Sequence, residues 1–135
     1  MGSSPRDRIR AAAARDGGRT FVDRCCRLLD DGEIDPALVT DLGGDGAAHV
    51  LSGHEGGPGG YWPRTWAVRA FLHVWDPSAT PTVIAATGDE HWRVREMAAK
   101  VIAARDIHSA AAQHALERLA TDDNARVRAA ADRSR

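Results

Sequence analysis

The sequence predicts an all-α protein, and three observations carry that prediction. Alanine, the strongest helix former, supplies 25 of 135 residues, and 17 of the 18 basic residues are arginine, which is nearly as favourable. Apolar residues recur at spacings of three and four, and no stretch alternates as a half-buried strand would. Glycine, proline and capping residues then punctuate the chain at helix-sized intervals. With 43% hydrophobic and 27% charged residues, the composition is that of a globular chain rather than a disordered one. A formal net charge of −1 argues against a dedicated polyanion binder. No apolar run reaches the ~18 residues of a membrane span, and MGSSPRDRIR has no apolar signal region. The expectation is a cytoplasmic protein without a membrane partner.

The first helix is predicted over residues 4–16, with Ser4 as cap, Pro5 in the first turn and Gly17-Gly18 as stop. Its apolar content is mostly alanine, so shallow packing is expected. Thr20 is assigned as the cap of a second helix, in which Phe21, Val22, Cys25, Leu28 and Leu29 share a side before Gly32. Asp35-Pro36 opens a short third helix through Leu42, and a small fourth covers Ala47–Ser52. The adjacent Cys25 and Cys26 point in different directions on a helix and read as reduced thiols. Residues 53–60, GHEGGPGG, hold five glycines and a proline, which no regular element survives. This loop divides an N-terminal helical cap region, 1–60, from a more regular part, 61–135.

A helix from Pro63 to Trp75 is expected to set Trp66, Val68, Phe71, Leu72 and Trp75 on one side, with Trp75 in the core, and to stop at Asp76-Pro77. Val83 and Ile84 lie in a short helix ending at Gly88. Glu90 to Ala104 carries the clearest stripe, formed by Val94, Met97, Ala98, Val101 and Ile102. Ser109 to Ala120 follows, and a last helix starts near Asp123. The total is about eight helices.

Three segments in this second part are alike: TWAVRAFL (65–72), HWRVREMA (91–98) and NARVRAAA (124–131). Their Val-Arg pairs recur at offsets of 26 and 33 residues, a period that means stacked helical hairpins. Asp89 stands six residues before Arg95, and Asp122 six before Arg128. These residues resemble the HEAT repeat family, in the short form found also among phycobilisome-lyase-type repeats and in small bacterial proteins. Residues 80–104 and 110–131 match the pattern of helix, turn Asp, Val-Arg and second helix. The copy at 61–75 is partial, with Pro63 where the Asp would stand. The resemblance implies a right-handed α-solenoid. It also implies that Asp89, Arg95, Asp122, Arg128 and Arg69 form a structural ladder between repeats, and that second helices line a concave surface.

The candidate partner site joins Trp62, Trp66 and Trp92 to Arg93, Glu96 and Lys100. Trp66 and Trp92 hold the same repeat position, two residues before the valine and off the apolar stripe. Partial exposure and side-by-side stacking along one edge are therefore expected, and tryptophan in such a place is a frequent hot spot. Arg93, Glu96 and Lys100 put charge of both signs beside them. Glu96 and Lys100 also have the spacing of an ordinary helical ion pair.

Catalytic and metal chemistry find little support in the residues. His49, His54 and Glu55 match no helical ligand spacing and fall in or beside the glycine loop, so no metal or other cofactor is expected. The glycines lack a GK[ST] ending. Alkylation-repair DNA glycosylases are also HEAT-like, which makes a related nucleic-acid-binding protein the alternative. Trp75-Asp76 is the nearest imitation of their carboxylate-and-aromatic site, and Asp76 before Pro77 reads better as a cap. Residues 61–135 hold 11 basic and 9 acidic side chains, too small a surplus for much phosphate neutralisation. The expected function is a non-catalytic protein-binding or scaffold module. Its partner is another protein, or a second copy docking on the open end.

Overall fold

The computed structural model describes residues 3–54 and 60–134. Among these residues there are nine α-helices, one 3₁₀ turn and no strand. The chain forms two compact units, residues 1–79 and 80–135.

The first unit begins with α1 (Pro5–Asp16), capped by the Ser4 hydroxyl, which accepts the Asp7 N–H at 3.1 Å. Ile9 and Ala12 are its only buried residues, as its alanine-rich composition suggests. α2 (Gly18–Asp31) follows after a single joint residue, Gly17, whose φ of 90° suits glycine. Thr20 is not the cap: the Gly17 carbonyl already accepts the Phe21 N–H, so the helix starts two residues before Thr20. α3 (Pro36–Gly43) is capped by Asp35, and α4 (Gly46–Leu51) is a short helix beyond Gly44.

α5 (Tyr61–Ala70) differs at both ends from the expected Pro63–Trp75. Pro63 sits in its first turn, where no N–H is needed, so the helix can begin earlier. At the other end the N–H groups of Phe71, Leu72 and His73 bond three residues back, which closes the helix in a tight turn. Trp75 thus falls outside the helix. It is half-buried rather than in the core, edge-on to Phe71 at 5.8 Å. Asp76 does cap, accepting the Ser78 N–H at 2.9 Å ahead of the 3₁₀ turn Pro77–Ala79. α5 packs on α2, α3 and α1. Phe21, Val22, Leu42 and Val68 on these helices are fully buried, and residues 61–79 belong to the first unit, so the division falls after Ala79.

The second unit holds two hairpins. α6 (Thr80–Ala86) pairs with α7 (Trp92–Ala104), and α8 (Ala110–Leu119) with α9 (Ala125–Ser134). α7 starts two residues after Glu90, because the His91 side chain caps it by accepting the Arg93 N–H. α7 also lies along α9, and Val83, Val94, Val101, Leu116 and Val127 are fully buried between the helices. One hairpin alone could not bury such a stripe, and the second hairpin covers it.

Candidate interaction surface and repeat contacts

The turn aspartates and the Val-Arg arginines are joined by a repeated device. Arg95 Nη1 donates to the Asp89 carbonyl at 2.9 Å, and Arg128 Nη1 donates to the Asp122 carbonyl at 2.6 Å. Each arginine thereby ties the turn six residues before it to the first turns of its own helix. Each aspartate also caps the backbone two residues on: Asp89 Oδ1 accepts from His91 N–H and Asp122 Oδ1 from Asn124 N–H. Arg95 then reaches across to the following hairpin, gripping the Asp122 carboxylate with Nε at 2.8 Å and Nη2 at 3.1 Å. This fork is well shielded from water, the two side chains being 17% and 10% exposed. Burial alone would raise the Asp122 carboxyl. The Arg95 and Asn124 hydrogen bonds, with the charges of Arg95 and Arg128, outweigh burial and hold it below its ordinary range. Arg69 behaves differently. Its Nη2 donates to the Leu42 carbonyl at 2.9 Å, and no carboxylate among the described residues pairs with it.

The candidate surface residues lie in two units. In the first, Trp62 and Trp66 stack with ring centres 6.0 Å apart, and with Gly46, His49 and Val50 they line a small cavity of about 350 Å³. Trp66 is buried rather than partly exposed. Its ring lies directly on Gly43, which has no side chain to keep it away. α5 is buried on most of its circumference, and α3 and α4 cover the side from which Trp66 projects.

In the second unit Trp92, Arg93, Glu96 and Lys100 come together with a residue that the sequence reading missed. Trp92 stays half-buried and stacks against His91. The Arg93 guanidinium lies 4.5 Å from the Trp92 ring centre and that of Arg126 lies 5.1 Å from it, so the indole carries two cations. Glu96 is buried, contrary to its expected place on an open face, because α9 lies along α7 and brings Arg126 Nε to 3.3 Å from its carboxylate. Lys100 Nζ stands 3.9 Å from the same oxygen, one helical turn on. Arg126 was findable: it occupies in 124–131 the position that Arg93 occupies in 91–98.

The His49 and His54 rings stack at 4.4 Å, and Glu55 lies outside the described residues. Among the described residues no three His, Cys, Asp or Glu side chains gather as metal ligands. Neither Cys25 nor Cys26 is in a disulfide, and burial pushes the Cys25 thiol well up. No helix among the described residues is long and apolar enough to cross a membrane.

With the hairpins, turn aspartates and arginine ties in view, a family model for HEAT repeats matches residues 61–134, more than half of the chain. The chain belongs to the HEAT repeat family. HEAT repeats commonly act as protein-interaction and scaffold modules. Searches among curated proteins and among solved structures found no match.

Proposed function

We propose that this chain is a non-catalytic interaction module, and that the Trp92 cluster of its second unit is where a protein partner binds. One observation carries the reading. A half-exposed indole is flanked by two arginines, while a buried carboxylate shares one of those arginines and a lysine. Tryptophan and arginine are the side chains that dominate protein interfaces. Glu96 offsets part of the local positive charge, which weakens any pull on a phosphate backbone. Arg126 is already tied to Glu96 at 3.3 Å, which lowers the ordering cost of that side chain on binding.

The test begins with capture of partners by the full chain, repeated after nuclease treatment and at raised salt. The captured protein is then purified and titrated against the parent chain, Trp92→Ala and Arg93→Ala. Binding that survives nuclease and salt, and weakens at least about tenfold in Trp92→Ala with an unchanged helical spectrum, is the expected result. Recovery of nucleic acid that is lost as salt rises would overturn it and favour the glycosylase-related alternative.

A further inference from the structure

We propose that Arg8 and Arg69, in the first unit, form a binding site for a dianionic oxyanion of the phosphate class. Arg8 Nη2 and Arg69 Nη2 both donate to the Leu42 carbonyl, at 3.4 and 2.9 Å, so the two guanidinium groups sit side by side. Arg8 Nη1 also donates to the Ser3 carbonyl. Neither arginine pairs with a carboxylate among the described residues, and the Nε atom of each is buried without an acceptor. Two like charges held together at one carbonyl oxygen repel each other and leave donors unused. A dianion would balance both charges and accept from guanidinium edges that the carbonyl cannot serve.

The pair is built into the fold and is not a chance meeting of surface side chains. Gly44, at φ 58°, makes room for Arg8: a β-carbon there would come within 2.5 Å of the Arg8 guanidinium carbon. Of the two, Arg8 lines an open cleft of about 750 Å³ between α1 and the α3–α4 corner, together with Ser3, Thr40 and Arg15, and Arg69 stands behind it at the shared Leu42 carbonyl. Three carboxylates line it too. Asp41 is engaged by Arg15 at 2.8 Å, and Asp7 and Asp45 are exposed, where water and salt screen them. Burial first, and the neighbouring Arg8 charge second, pull the Arg69 guanidinium below its ordinary proton affinity, the sense that a bound dianion would reverse.

The test observes the Arg8 and Arg69 Nε–H resonances of the ¹⁵N-labelled full chain during titration with inorganic phosphate, acetate or chloride at matched ionic strength. Saturable movement of both resonances with phosphate alone, and a melting temperature that rises with it, is expected. Arg69→Lys keeps the charge but loses the planar fork, and should weaken phosphate binding about tenfold. Resonances unmoved by phosphate, or moved equally by acetate or chloride, overturn the site, and this arm needs no variant to fold. A phosphate effect that persists in both Arg69→Lys and Arg8→Lys overturns it as well. Comparing inorganic phosphate with O-phosphoserine separates the sources: tighter binding of the ester points to a phosphorylated ligand, and tighter binding of the ion to free phosphate.

Discussion

Gly43 is small because the Trp66 indole lies where a side chain would project. A β-carbon at Gly43 would overlap the six-membered ring of Trp66, and a buried indole cannot swing away as a flexible side chain would. Gly43→Ala is therefore expected to destabilise by roughly 1–3 kcal/mol in urea unfolding. Most of that cost should vanish in a Trp66→Leu background, and a cost that stays the same would show that the contact is not its source. The Arg95–Asp122 fork offers a second residue-scale expectation. Asp122→Ala leaves a shielded guanidinium without its carboxylate and Asn124 without its cap, for a loss of about 2–3 kcal/mol. A double-mutant cycle with Arg95→Met should recover a coupling well above that of an exposed pair.

At the scale of the element, caps decide where helices begin. Ser109 Oγ accepts the Ala112 N–H at 3.2 Å at the start of α8, so Ser109→Ala should cost about 1 kcal/mol. Ser109→Asp should restore most of it, and thermal unfolding of the two variants provides the check. Ser4 was readable as a cap, and Asp35 and Ser109 as residues that open their helices, because a cap acts through backbone groups two or three residues away. Thr20 misled because a glycine joint let Gly17 start α2 with its own carbonyl. α5 misled for a similar reason, since a proline in its first turn permits an earlier start and a tightened turn ends it before Trp75. Elements are legible where the deciding contact is local.

Over the whole molecule, paired carboxylates link stability to pH. Asp16 is hydrogen-bonded by Arg15 and then by Arg24, and is held down from 3.8 to about 2. Arg24 lowers Asp35 as well, and Asp122 is lowered in the second unit. A carboxylate depressed in the folded state contributes stability above its unfolded value, and that contribution disappears as pH falls through the folded value. Unfolding midpoints should hold steady down to about pH 4 and then drop toward about pH 2. Arg24→Met removes a shared partner of Asp16 and Asp35 and should flatten that drop. An acid profile parallel to the parent's would show that this network is not responsible.

The amino-acid sequence by itself determined the helical class, the Ser4 and Asp76 caps, the Val-Arg repeat and the family that it marks, because each is encoded at spacings within one or two turns or one hairpin. It also brought Trp92, Arg93, Glu96 and Lys100 onto one helix. Tertiary packing decided what those residues face. α9 buried Glu96 and supplied Arg126, α3 and α4 covered Trp66, and the Leu42 carbonyl drew together Arg8 and Arg69 from distant parts of the chain. Periodicity records which side of a helix is apolar. It does not record which neighbouring helix will lie over the other side, because that depends on how separate elements pack rather than on spacing along one of them.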